Sequence, residues 1–137
     1  MVVTILRGVS GAGKSTYTQR NHPDALVCSA DHFFGHGEDY KFDPKKIGQA
    51  HEFCFKTFKT AVNAQTPSIV VDNTNTQKWE FERYVKYAQD NGYTVNVVRL
   101  KVDPKVAAAR NVHGVPFETV MRMQNRFQDF PGETIIG

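Results

Sequence analysis

The feature that most constrains this chain is the stretch GVSGAGKS at residues 8–15, which fits the pattern G-x-x-x-x-G-K-[ST]. Glycines in such a loop adopt positive φ, so backbone N–H groups turn inward and can surround phosphate groups. The stretch follows an apolar run rich in β-branched residues, residues 2–6, and precedes a short predicted helix. The positive end of that helix would face the same phosphates. The sequence therefore predicts a site for a nucleoside triphosphate.

Individual residues of the loop have expected roles. Lys14 should reach the β- and γ-phosphate oxygens, and the Ser15 hydroxyl should ligate Mg²⁺. ATP is the expected nucleotide, although the motif also permits other nucleoside triphosphates. The predicted nucleotide-binding residues of this stretch are Gly8, Ser10, Gly11, Ala12, Gly13, Lys14, Ser15 and Thr16.

Strand-like apolar runs alternate with amphipathic helical stretches along the chain. The runs lie at residues 2–6, 24–30, 67–72 and 93–102. This alternation predicts an α/β fold, the P-loop NTPase fold, with a parallel sheet covered by helices on both faces. The glycine-containing loop then lies at the carboxyl end of the first strand, where such sheets bind ligands. The tail PGETIIG yields no prediction.

Length and composition indicate one domain over residues 1–137. A net charge of +3 permits an anionic partner without requiring one. The two cysteines are too few for a disulfide framework, and no apolar run is long enough to span a membrane. The first residues do not resemble a signal peptide. We therefore expect a cytoplasmic protein without a membrane partner.

Asp31 is the predicted general base. It directly follows the second strand, at the edge of the sheet where the phosphate loop also lies. A carboxylate there can accept the proton of a hydroxyl group as the γ-phosphoryl group arrives. The alternative is that Asp31 caps a turn.

Polar residues also follow the third strand. Asp72 ends that strand and is placed to hold Mg²⁺, directly or through water. Asn73, Thr74 and Asn75 offer amide and hydroxyl groups to the acceptor or to the phosphate loop itself, and Asn73 and Asn75 are predicted to bind the acceptor. The alternative for this segment is that it caps the next helix.

Arg110 is the predicted lid residue. It lies with His113 near the end of a short helix after the fourth strand. An arginine on such a segment can close over the phosphates and neutralise charge in the transition state, as a catalytic and nucleotide-binding residue. A solvated surface arginine is the alternative.

The class of phosphate-loop protein follows from what accompanies the loop. A GTPase would carry N-K-x-D after a later strand, and the sequence lacks it. Oligomeric ATPase motors normally need a lid domain and arginine fingers beyond this length. A small kinase is the class that remains.

Four segments together resemble the polynucleotide 5′-kinase-like branch of the phosphate-loop kinases. They are GVSGAGKST, SADHFF, VVDNTNTQKWE and ARNVHGVPFETVMRM. The resemblance implies a four-stranded parallel sheet in the order 2-3-1-4 with a small lid after the fourth strand. It also implies that Asp31 is the general base, that Lys14 and Ser15 contact phosphate and metal, and that Arg110 belongs to the lid. Asn73 would help to position the acceptor.

The chain departs from that family in two respects. Phe34 lies three residues after the predicted base, where the viral polynucleotide kinases carry an arginine that holds the acceptor's phosphate. An aromatic side chain there could stack on a nucleobase or belong to the core. The phosphatase domain with a D-x-D motif, common in end-repair enzymes, is missing from this sequence, so we expect no 3′-phosphatase activity.

The leading interpretation is an ATP- and Mg²⁺-dependent kinase acting on a hydroxyl group, with the 5′ end of a polynucleotide as acceptor. A nucleic acid is then the substrate partner, and Lys41, Lys45 and Lys46 mildly favour a polyanion. Alternative acceptors are a nucleoside, a small metabolite or a hydroxymethylated base in DNA. A non-catalytic ATP-binding adaptor is a third interpretation, disfavoured because Lys14, Ser15, Asp31 and Asp72 are all present.

Overall fold

The computed structural model describes residues 1–35, 37–111 and 113–137. Over this part of the chain, five strands form one parallel sheet in the order β2-β3-β1-β4-β5. The strands are β1 (Val2–Arg7), β2 (Leu26–Cys28), β3 (Ser68–Asp72), β4 (Thr94–Leu100) and β5 (Thr134–Ile136).

Helices connect the strands. They are α1 (Lys14–Asn21), α2 (Ile47–Asn63), α3 (Lys78–Asp90), α4 (Pro104–Arg110) and α5 (Phe117–Arg126). Three short 3₁₀ helices, Ala30–Phe34, Gly37–Asp39 and Pro44–Lys46, lie between β2 and α2. Within the described residues, no helix combines the length and the apolar character needed to cross a bilayer.

Both faces of the sheet are covered, because its central strands are apolar on both sides. On one face, Val3 and Ile5 of β1 pack with Phe58 of α2 and Phe81 of α3. On the other face, Leu6 belongs to a cluster that includes residues of α1 and of β4. The predicted α/β fold with helices on both faces is confirmed.

The predicted strand order 2-3-1-4 is confirmed, but the predicted count of four is one too low. β5 pairs with β4 through Val98–Thr134, Arg99–Ile135 and Leu100–Ile136. The strand is three residues long and its side chains are exposed, so it has neither alternation nor a buried apolar run to indicate it.

The C-terminal tail is joined to the end of β1 by a buried ion pair. Nη1 of Arg7 lies 2.7 Å from Oε1 of Glu133, and the two side chains are 0% and 4% exposed. Arg7 also donates hydrogen bonds to the carbonyl oxygens of Asn75, Thr76 and Gln128. This network fixes the backbone directly before the glycine-containing loop to the backbone that follows β3.

Candidate active site

The loop between β1 and α1 has the backbone geometry expected for phosphate binding. Gly11 and Gly13 adopt φ of 86° and 98°, which only glycine does without strain. Gly13 is the N-cap of α1 and has no side chain to block the N–H groups of the first turn. A Cβ at Gly11 would lie 2.0 Å from the carbonyl oxygen of Ala107, so α4 packs directly on the loop.

Lys14 is the first residue of α1, and its side chain contacts this loop. Its Nζ donates hydrogen bonds to the carbonyl oxygens of Gly8 at 2.9 Å and Val9 at 3.2 Å. Burial lowers the pKa of Lys14, whereas the charges of Asp72 and Asp31 raise it. The ammonium group therefore lies in the field of both carboxylates, at the place where phosphate groups would enter.

Asp31 lies in the 3₁₀ helix that follows β2, and its carboxylate does not cap that helix. Ser29 caps that helix, because its side chain accepts a hydrogen bond from the N–H of Asp31. The Asp31 carboxylate instead accepts a hydrogen bond from the hydroxyl of Tyr40 at 3.1 Å. The side chain is 57% exposed and lines the cleft beside the loop.

Asp72 ends β3 and lines the same cleft as Ser15. Burial raises the pKa of Asp72, and the positive charge of Lys14 opposes that change. A carboxylate and a hydroxyl suit Mg²⁺, which binds few protein ligands and completes its shell with water and substrate phosphates. Within the described residues, no group of three His, Cys, Asp or Glu side chains is arranged to hold a metal ion. The donor set therefore fits a Mg²⁺ ion shared with phosphates.

Arg110 reaches the loop from the end of α4. Its Nε donates a hydrogen bond to the carbonyl oxygen of Gly11 at 3.2 Å. Asn111 and His113 line the same cleft beyond it. The lid position predicted for Arg110 is therefore next to the phosphate-binding loop.

The cleft has a volume of about 800 Å³ and opens at the carboxyl ends of the central strands. It brings together most of the residues predicted from the sequence. These are Ser10, Gly11, Ala12, Gly13, Lys14, Ser15, Thr16, Asp31, Asp72 and Arg110.

Four predicted residues do not line the cleft: Gly8, Phe34, Asn73 and Asn75. Gly8 lies beneath the loop, and its N–H donates to the carbonyl oxygen of Thr74. Phe34 is buried and packs edge-to-face against Phe42. Phe34 is thus placed as a core residue.

The two asparagines have internal partners. Asn73 accepts a hydrogen bond from the N–H of Ala30 and donates to Sγ of Cys54. Asn75, with φ of 48°, donates to the carbonyl oxygen of Leu6. Asn73 therefore anchors the 3₁₀ helix carrying Asp31, and Asn75 ties the end of β1 to the segment after β3. The polar segment that contains these asparagines does not provide the N-cap of α3. That position is Gln77, which forms a capping box with Glu80.

The sequence analysis missed Tyr40 and Arg7. Tyr40 contacts Asp31 across nine positions that have no regular periodicity, so no pattern indicates the contact. Arg7 is a charged residue at the end of an apolar strand, and its partner Glu133 is 126 positions away. The sequence signal for Arg7 is that a charged residue ends an apolar run.

Comparison with known proteins assigns the family. A family model for an AAA domain, AAA_33, matches residues 3–130 of the chain. The chain belongs to this AAA-domain family. Membership implies a nucleotide-binding loop, in agreement with the geometry of residues 8–15.

One relative of this AAA domain is NEDD4-binding protein 2 of Homo sapiens, which is 36% identical over 143 residues. The alignment covers 99% of this chain and 8% of the human protein. The chain therefore corresponds to a small part of that relative.

Solved structures with the same fold include kinases. A gluconokinase from Sinorhizobium meliloti superposes with a TM-score of 0.62 and 15% identity, covering 98% of this chain and 81% of the other. A chain of the Pnkp1/Rnl/Hen1 RNA repair complex superposes with a TM-score of 0.69 and 14% identity, covering 93% and 44%. At these identities the likeness concerns the fold alone.

Proposed function

We propose that this AAA domain transfers the γ-phosphate of ATP to the hydroxyl group at the 5′ end of a polynucleotide. The observation that carries the proposal is the cleft in which Lys14, Asp31, Asp72 and Arg110 meet. In this proposal Lys14 and Arg110 contact the nucleotide, and Asp31 contacts the acceptor.

Each residue of the cleft has a separate role in the proposed reaction. The backbone N–H groups of the loop and Lys14 hold the β- and γ-phosphates. The carboxylate of Asp31 accepts the proton of the acceptor hydroxyl, the acceptor oxygen forms a bond to the γ-phosphorus, and the bond to the β-phosphate oxygen breaks. ADP leaves with the electron pair of that bond. Arg110, already in contact with the loop, stabilises the charge that develops on the transferred group.

Ser15 and Asp72 are the residues that would hold Mg²⁺. The ion, when bound, supplies positive charge that neutralises the β- and γ-phosphate oxygens. The charge of Lys14 favours the ionised carboxylate of Asp72, the form that would bind Mg²⁺, against the effect of burial, which raises the pKa of Asp72.

Support for a polynucleotide acceptor comes from the segment that follows Asp31 and from the fold. The exposed lysines of that segment are Lys41, Lys45 and Lys46. They can contact a phosphate backbone. The fold also occurs in a chain of the RNA repair complex, although that likeness alone does not assign an acceptor.

A small hydroxylated metabolite is the second proposed acceptor, and one observation favours it. The same segment carries three acidic residues that offset the lysines, namely Glu38, Asp39 and Asp43. Residues 38–46 therefore carry no net charge, so this stretch gives a polyanion no electrostatic preference over a small acceptor. The chain also shares its fold with a gluconokinase.

The test is transfer of label from γ-labelled ATP to matched acceptors at several salt concentrations. The acceptors are 5′-hydroxyl RNA, 5′-hydroxyl DNA, the same strands with 5′-phosphate, hydroxymethylated duplex DNA, free nucleosides and gluconate. The 5′-phosphorylated strands are the control, because they offer the same polyanion without the hydroxyl.

Label on a 5′-hydroxyl strand, absent from the blocked strand and falling steeply with salt, is the expected result. Label only on a nucleoside, gluconate or hydroxymethylated base would contradict the polynucleotide proposal and favour the alternatives. Binding of ATP without transfer to any acceptor would point to the adaptor interpretation.

A further inference from the structure

Asp31 is contacted from two sides by residues outside the phosphate loop. The Tyr40 hydroxyl donates a hydrogen bond to Oδ1 of Asp31 at 3.1 Å. Nε2 of His113 lies 3.9 Å from Oδ2. The rings of Tyr40 and His113 stack on each other, with centroids 4.2 Å apart and an interplanar angle of 21°.

Tyr40 is brought back to Asp31 by a tight chain reversal. Gly35 adopts φ of 104°, and a Cβ there would lie 2.6 Å from the carbonyl oxygen of Asp39. The N–H of Lys41 donates to the carbonyl oxygen of Phe34 at 2.8 Å, which closes the reversal. Only glycine at position 35 permits the approach that places Tyr40 over the carboxylate.

His113 lies in a turn that is held by hydrogen bonds from the Asn111 side chain. The Asn111 side chain donates to the carbonyl oxygen of Val115 and accepts from its N–H, at 2.9 and 2.8 Å. Gly114 supports the turn with φ of 69°. Arg110, next in sequence to Asn111, contacts the phosphate loop at Gly11. One short segment thus touches the nucleotide side and the acceptor side of the cleft.

We infer that Tyr40 is a positioning residue for Asp31 and that His113 holds Tyr40 in place from the segment that carries Arg110. The inference rests on the proposed function, in which Asp31 is the base. The Tyr40 hydroxyl occupies Oδ1 and fixes the rotation of the carboxylate. Oδ2, which lies 3.9 Å from Nε2 of His113 and so beyond hydrogen-bonding distance, is then the oxygen that would take the acceptor proton. The backbone of Asp31 is already fixed by Ser29. The orientation of the carboxylate is what Tyr40 adds.

Tyr40→Phe tests the contribution of the hydroxyl group separately from that of the ring. The variant keeps the ring that stacks on His113 and loses the hydrogen bond to Asp31. Because hydrogen bonds to charged groups contribute more than neutral ones, we expect kcat to fall about 10- to 100-fold, with the KM for ATP unchanged. Tyr87→Phe is the matched control, since it removes a hydroxyl bonded to Asn63, on the surface and away from the cleft.

A second comparison tests whether Tyr40 acts through Asp31. In an Asp31→Asn background, Tyr40→Phe should cause no further loss, because no base remains to be oriented. Losses that multiply, or a Tyr40→Phe variant with the turnover of the wild type, would overturn the inference. If Asp31→Asn itself transfers phosphate normally, the proposed role of Asp31 is wrong.

A measurement without turnover separates the two proposals. Burial and the neighbouring Asp31 carboxylate raise the pKa of Tyr40 to about 12. At pH 11, where an ordinary tyrosine is about 90% ionised, the Tyr40 ring resonance should therefore remain mostly that of the phenol. Asp31→Asn should increase its ionised fraction. A Tyr40 that ionises like a free tyrosine in the wild type overturns the inference, even if the protein proves to be an active kinase.

Discussion

Glu133→Gln tests the buried ion pair that joins the C-terminal tail to the end of β1. Arg7 is fully buried, and Glu133 is the carboxylate in contact with it. Burial lowers the pKa of Arg7, and the charge of Glu133 is the largest opposing effect. The substitution therefore leaves a guanidinium group buried without its counter-charge.

The magnitude follows from this burial. Breaking one partner of a buried ion pair costs about 3–5 kcal/mol of the free energy of unfolding. Oε2 of Glu133 also accepts the N–H of Phe130, and an amide nitrogen in its place could not accept that bond. For a chain of this size, a loss of that order corresponds to about 10–20 °C in Tm.

The assay is urea and thermal unfolding, followed by circular dichroism. Glu52→Gln is the matched control, because Glu52 pairs with Arg83 at 2.9 Å on the surface, where the side chains are 72% and 38% exposed. Exposed pairs contribute at most about 1 kcal/mol, so the control should be nearly neutral. If Glu133→Gln is no more destabilising than Glu52→Gln, the reasoning about the buried charge is wrong.

Two further predictions concern the loop and the thiols. Gly11→Ala should displace α4 and weaken ATP binding at least about tenfold, because the new Cβ meets the carbonyl oxygen of Ala107; Gly92→Ala, with positive φ but open space around it, should leave binding unchanged in the same titration. Cys28 and Cys54 should resist iodoacetamide at pH 8.5 until the protein is unfolded, because burial raises the pKa of Cys28 to about 12 and also raises that of Cys54. Rapid labelling of the native protein, followed by mass spectrometry, would contradict the second expectation.

Local sequence patterns predicted the parts of the fold that they govern. The apolar runs at residues 2–6 and 67–72 are predicted to be strands from their own composition, and the structure has strands β1 and β3 there. The formation of β5 depends on its pairing with β4 and not on a pattern in its own residues. Its three exposed residues therefore carry no pattern of their own.

The residues of the candidate site also divide into those that a local sequence pattern predicts and those that it does not. Ser10 to Thr16 and Asp31 follow from motif and strand position, and the structure has them along one cleft. Asn73 and Asn75 come from an equally polar segment, yet their amides turn to internal partners that no spacing reveals. Tyr40 reaches Asp31 only because Gly35 reverses the chain, a contact set by backbone geometry.

The assignment of Asp31 as the base is tested most directly by single-turnover transfer of the γ-phosphate from ATP to 5′-hydroxyl RNA by wild type and Asp31→Asn, with ATP affinity measured on both. We expect the variant to bind ATP as the wild type does and to transfer phosphate about 10²–10⁴-fold more slowly, because the base is lost and the nucleotide-binding residues are intact. Equal transfer rates in the two proteins would contradict the assignment of Asp31 as the base.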